Sequence, residues 1–303
     1  MAINKEIWLD FINETLSKNN TFLTKAVNDT ASVIDNKVVH IANAGSPSEI
    51  VTNNTSWPLT ISDRTDTDIT YNLDRFNTYP KRVDSLEKVE LSYDLMASIL
   101  KNDLTNMQNK AANKILYNWV YGIATGAIVD STGTGKTIMS TGFGETGNSK
   151  KFTLNDINKA NALLTSQDVP VEGRVLLVTP SQYSDIQEFI QQPIYAPNFA
   201  DSAVKGFVGV VGGFEVIVRS KTVAISHTGV TVASPEATGL TSYVAAAVAY
   251  HPDFVRVASG SPIVITNEDP AYGGQTIGIG MRLGGRMSRE DAKGLVIIRE
   301  TKI

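Results

Sequence analysis

The most suggestive chemistry in the chain lies in Gly133-Thr134-Gly135-Lys136-Thr137, which ends like a phosphate-binding loop. In such loops a glycine-rich backbone cradles phosphates, the lysine reaches them and the hydroxyl meets Mg²⁺. Two departures count against it. The first glycine of the motif would fall at position 130, where the chain has Asp130, and Ile138-Met139-Ser140-Thr141-Gly142 is a poor opening for the helix that would hold the phosphate. A nucleotide-binding enzyme using Gly133–Lys136 therefore ranks below a flexible loop. His40, His227 and His251 are too far apart in sequence for a helical metal pair or a local triad signature. Asp63, Asp66, Asp68 and Asp74 could attract Ca²⁺, but without the glycine and terminal glutamate of a calcium loop they read as a solvated hairpin tip. Glu290-Asp291 beside Arg286 and Arg289 reads as a surface ion pair and not as an acid–base pair. No constellation supports catalysis, and neither cofactor nor metal is expected.

Composition narrows the field further. The 303 residues, 42% of them hydrophobic, can bury one large core or two modest ones. Basic and acidic side chains number 27 and 31, a net charge of −4 that argues against a polybasic, tight DNA binder. The absence of cysteine removes disulfides, zinc fingers and thiol catalysis. The longest apolar run, Tyr243 to Tyr250, falls far short of the ~20 residues that span a bilayer. Glu6 and Asp10 interrupt the start where a signal peptide needs an apolar stretch, so the expectation is a soluble protein made in a cytoplasm.

The elements follow from hydrophobic period and punctuation. Ile7, Trp8, Phe11, Ile12 and Leu16 fall on one face of a short amphipathic helix, and Lys37 to Ile41 is strand-like. From Ser46 to Asp84 the composition turns polar. Trp57 to Ile61 and the alternating Asp68 to Asp74 predict two strands of a long hairpin, too polar to be ordered without a partner surface. Ser92 to about Tyr121 has no Pro or Gly and predicts a helix of roughly 45 Å, stopped by Gly122 and Gly126. Thr153 to Asp156 opens a second helix with a capping box. Arg174 to Thr179 reads as a buried strand, and Thr179-Pro180-Ser181-Gln182 caps a third helix. Val208 to Val218 predicts a hairpin turning at Gly212-Gly213, followed by strands at 244–250, 263–266, 276–283 and 295–300. Among the aromatics, Trp8 and Phe11 suit contacts with other chains, whereas Trp57 suits contact and core equally.

An arm, a polar hairpin, a long helix, an α/β core and returning strands follow one another along the chain. Three stretches carry a resemblance to the major capsid proteins of tailed bacteriophages, the Hong Kong 97-type fold. They are Ser62 to Asp84 leading into Leu86-Glu87-Lys88-Val89-Glu90-Leu91-Ser92, then Arg174 to Pro180, and Val244 to Tyr250 followed by His251-Pro252. The resemblance covers nearly the whole chain and rests on the order of elements, not on an invariant motif. It implies an α+β capsid fold. Its parts would be an N-terminal arm over 1–45, an extended hairpin (the E-loop) over 46–91, a P-domain spine helix with its following loop over 92–152, an A-domain over 153–245 and returning C-terminal strands over 246–303.

The same resemblance implies a structural subunit, not an enzyme, that self-assembles into pentamers and hexamers of an icosahedral head around double-stranded DNA. Its place would be the virion, after assembly in the host cytoplasm. Expected partners are other copies of the chain, a separate scaffolding protein, since no fused scaffolding segment is visible before the arm, and the portal and other head proteins. Packaged DNA would be touched only non-specifically, and no membrane is involved. Some family members join neighbouring subunits by an isopeptide between an E-loop lysine and an asparagine. This chain has Arg64 and no lysine between Ser46 and Pro80, so no such cross-link is expected. Inter-subunit contacts are expected at Trp8, Phe11, Trp57, Arg64, Asp66, Asp68 and Arg75. An encapsulin-like nanocompartment shell shares the fold and remains the alternative, distinguished by a protein cargo in place of DNA. A tail or adhesin β-structure fits the long helix poorly.

Overall fold

Apolar side chains at three- and four-residue spacing build the helix Asp94–Val120, and its buried face runs across two sheets. The computed structural model describes residues 20–34, 37–43, 48–55, 57–59, 61, 63, 66–84, 94–138, 143–190, 209–260, 263–269, 274–289 and 291–303. Leu104, Met107, Ala111, Ile115, Leu116 and Trp119 of the helix are buried, and the positive φ of Gly122 ends it as the sequence predicts. The expected cap, Ser92, lies outside the described residues.

A mixed eight-stranded sheet forms the centre. The strand Val175–Val178 runs parallel to Phe214–Val218 and antiparallel to Tyr243–Tyr250. One edge of Tyr243–Tyr250 takes Val175–Val178 and then Val223–Ser226, and the other takes Leu295–Arg299. Side chains alternate across this sheet. Val175 and Leu177 face the cluster built on the long helix, whereas Leu176 and Val178 face the helices Leu154–Ser166 and Pro180–Ile190. Strands covered on both sides read as continuous apolar runs, which explains Val-Leu-Leu-Val and Tyr-Val-Ala-Ala-Ala-Val-Ala-Tyr.

Local chemistry sets the boundaries. Thr153 accepts from the Asp156 N–H while Asp156 reaches back to the Thr153 N–H. Gln182 accepts from the Thr179 N–H in the same manner. The turn between Val210–Val211 and Phe214–Val218 needs two positive φ angles, supplied by Gly212 at 58° and Gly213 at 86°.

A second, six-stranded sheet is organised by the long strand Gly274–Met287. One edge pairs with Ile263–Asp269 and Val255–Ser259, the other with Asp74–Asn77 and Lys81–Asp84. Ile277, Ile279, Met281 and Leu283 point at the long helix. Gly285 continues that face without a side chain, because a Cβ there would lie 2.6 Å from the Arg256 carbonyl and 2.8 Å from Ile115.

The hairpin differs from expectation. Thr67–Asn72 is a strand with Ile69 and Tyr71 buried, but its partner is Val38–Asn43, joined further to Val33–Ile34. Trp57, Pro58 and Leu59 form no strand, and the Trp57–Pro58 peptide is cis. The reason lies in the alternation: Val39 and Ile41 stand opposite Tyr71 and Ile69 and complete one apolar face, whereas a proline cannot donate to a ladder. The strand that the sequence groups with the arm thus serves as one leg of the hairpin. The flexible loop expected at Gly133–Lys136 is also more structured, since Gly135–Thr137 pairs with Asn148–Lys150.

Candidate functional site

Between the two legs of the hairpin the chain throws apolar side chains into solvent. Ile50, Trp57 and Ile61 are 89%, 75% and 92% exposed, and Val51 and Leu59 are exposed beside them in sequence. Trp57, which the sequence leaves open between contact and core, is therefore a surface residue. Exposed apolar groups on a polar connection between two strands mark it as a candidate contact surface.

The polar candidates do not converge on one spot. Asp68 pairs with His40 on the neighbouring strand, Oδ2 to Nδ1 at 2.5 Å, with both groups half exposed. Arg75 belongs to the other sheet, where its Nε donates to Asn77 Oδ1 at 3.1 Å. Asp66 is exposed just before the strand Thr67–Asn72. Trp8, Phe11 and Arg64 lie outside the described residues. The surface pair expected near the chain end is present as Arg289 and Asp291, bonded at 2.8 and 2.9 Å, and that hydrogen bond draws the Asp291 carboxyl below its ordinary range.

Lys136, expected in a flexible loop, is instead held in place by the fold. It sits in a strand and is partly buried, its side chain 11% exposed beside Asp185 at 8% and Glu300 at 6%. Its Nζ donates to Asp185 Oδ2, to Ser181 Oγ at 3.0 Å and to Glu300 Oε1 at 3.3 Å. An amine held this way is not free to reach a phosphate, so the phosphate-loop reading fails on geometry as well as on motif. Burial raises the Glu300 carboxyl above its ordinary range, opposed by the Lys136 charge. The signal was hidden because Asp185 and Glu300 are 49 and 164 residues away along the chain.

Two further buried locks tie the periphery to the centre. Asp29 accepts from Arg256 at 2.7 Å and from the Tyr71 hydroxyl at 3.2 Å, joining the segment near residue 29 to the six-stranded sheet and to the hairpin; burial beside Asp29 pushes the Tyr71 phenol upward. Arg219 donates to Asn113 Oδ1 at 2.5 Å and lies 5.1 Å from the Phe22 ring centre, with burial pulling its guanidinium down to about 10. These groups are structural fasteners. Among the described residues no cluster of three or more His, Asp or Glu could hold a metal, and no helix is long and apolar enough to cross a membrane.

Residues 87–298 match the sequence model of a family described as phage capsid protein, well over half of the chain. The chain belongs to the phage capsid protein family. As a capsid protein it is a subunit of a virion shell, not an enzyme. No curated protein matches the chain. Solved structures show the breadth of this capsid fold. A chain of Mycobacterium phage Che8 shares 17% identity at a TM-score of 0.61, covering 91% of this chain and 90% of that one. The capsid of cyanophage P-SCSP1u gives 11% identity and 0.63 over 92% and 87%. The capsid of Ralstonia phage GP4 gives 13% and 0.60 over 92% and 87%. At these identities the shared property is the Hong Kong 97-like architecture, a mixed α/β shell fold.

Proposed function

We propose that this capsid protein closes an icosahedral, tailed-phage head by assembling with itself into pentamers and hexamers around double-stranded DNA. In this reading residues 1–45 form the arm, lending Val38–Asn43 to one leg of the hairpin, and 46–91 form the rest of the E-loop. Residues 92–152 carry the spine of the P-domain, 153–245 form the A-domain, and 246–303 return through both. The observation that carries it is the exposed apolar set Ile50, Val51, Trp57, Leu59 and Ile61, which another copy of the chain covers on assembly. Trp57 supplies the large ring typical of interface anchors. Trp8 and Phe11 act likewise from the arm, and Arg64, Asp66, Asp68 and Arg75 form weak inter-subunit ion pairs repeated in every copy.

Electron microscopy and sedimentation test this directly. Wild-type chain, alone or with a separate scaffolding protein, gives capsomers or closed shells, and Trp57→Asp gives folded subunits without particles. A monomer under all these conditions overturns the reading. Uniform shells from the isolated chain would remove the scaffolding protein from it. Arg64→Glu lowers particle yield more than subunit folding, and equal loss of both would refute the contact assignment. Denaturing electrophoresis of particles shows single chains, since the hairpin carries no lysine between Ser46 and Pro80; a ladder of multimers is incompatible with that. Family membership favours a phage head over a nanocompartment, and particles filled with a protein cargo in place of DNA would reverse that preference. The portal and other head proteins complete the set of partners.

A further inference from the structure

Lys136, Asp185 and Glu300 place a primary amine against two carboxyl groups inside the protein, a set able to form an amide as well as an ion pair. Each is held by a different element. Lys136 comes from the strand Gly135–Thr137, Asp185 from the helix Pro180–Ile190 and Glu300 from the residue after the strand Leu295–Arg299. Ser181 Oγ, 3.0 Å from Nζ, fixes the amine, and Ser149 Oγ, 3.3 Å from Glu300 Oε2, fixes the second carboxyl. We propose that Lys136 and Asp185 condense into an isopeptide bond within the subunit, with Glu300 relaying the protons.

The step balances inside the chain. The amine attacks Asp185 Cγ, and charge gathers on Oδ2, where the Phe152 N–H donates at 3.1 Å in the manner of an oxyanion donor. Glu300 carries two protons in turn from Nζ to Oδ1, which departs as water. One ammonium and one carboxylate become one amide and one water, with no oxidant or co-reactant, and Glu300 returns to its starting state. The C–N bond forms as the C–Oδ1 bond breaks. Burial favours the step twice. It holds the reacting groups together at high effective concentration, and it makes the loss of two buried charges favourable. The raised affinity of Glu300 for a proton suits a relay. The product bridges residues 136 and 185 of one subunit, so it is separate from any link between subunits and leaves no ladder on denaturing electrophoresis.

Intact-mass measurement of the denatured full chain, followed by proteolytic mapping, decides the matter. The expected chain is lighter than its sequence by one water, and digestion yields a branched peptide joining Lys136 to Asp185. Lys136→Arg keeps the charge but forms no amide and has the full mass. Asp185→Asn loses ammonia in place of water. Glu300→Gln, close in shape but unable to relay, stays mostly at full mass. A wild-type chain of full mass overturns the proposal, as does a water loss that maps elsewhere or persists in Lys136→Arg.

Discussion

The strand Val175–Val178 and the segment 48–61 show opposite ways of treating apolar residues within one capsid subunit. All four side chains of the strand are buried, covered on one face by the long helix and on the other by two shorter ones. The segment holds Ile50, Trp57 and Ile61 in the open. Folding completes the first region, and in the proposed reading a second copy of the chain completes the other. A shell protein needs both: a subunit stable enough to persist before assembly, and a surface whose burial drives assembly.

The largest expected effect tests the first half of that contrast. Leu176→Ala removes packing on the fully covered face and costs about 2–5 kcal/mol, read as a lower denaturation midpoint of the unassembled subunit. Ile61→Asp leaves that midpoint within about 0.5 kcal/mol of wild type while abolishing particles in electron micrographs. If the two variants destabilise the subunit equally, residue 61 is core and the contrast collapses. Gly285→Ala comes next. The added methyl meets Arg256, Ile115 and the Trp119 nitrogen, which donates to the Arg256 carbonyl at 3.0 Å, and overpacking of this kind costs about 1–3 kcal/mol in the same denaturation measurement.

The same two regions differ in how well the sequence shows them. In the centre, period and punctuation agree. The uninterrupted apolar spacing of 94–120, the capping residues Thr153 and Thr179 and the Gly212-Gly213 turn all reappear where local chemistry places them. The hairpin misleads because its legs are far apart in the chain. Val38–Asn43 is chosen by the match of Val39 and Ile41 to Tyr71 and Ile69, a long-range fact that no local pattern records. Short strands such as Ile128–Asp130 and Val255–Ser259 are built by their neighbours in the sheet more than by their own composition. Exposure of Trp57 was undecidable for a similar reason, since burial depends on what packs above it. Lys136 shows the limit most sharply: its motif invited a ligand, while its partners stand on a helix and a terminal strand brought together by the fold.

Glu300 offers a finer test of the covered region. Burial raises its folded-state affinity for a proton above the ordinary value of 4.5. Between that value and the higher folded one, the folded chain binds more protons than the unfolded chain, so stability falls as pH rises through the window. Glu300→Gln removes this contribution and flattens the stability profile above about pH 4.5, measured by denaturant titration at successive pH values. An unchanged slope would show that the Glu300 carboxyl is not perturbed by its surroundings.

The smallest effect belongs to Asp68 and separates two uses of one residue. Its bond to His40 is half exposed, so Asp68→Ala alters subunit stability by less than about 1 kcal/mol. Particle yield then discriminates. If yield falls while the denaturation midpoint holds, Asp68 reaches across to a neighbouring subunit as well as to His40. If both are unchanged, its pairing is confined to the two legs of its own hairpin, and the exposed apolar side chains carry the contact without it.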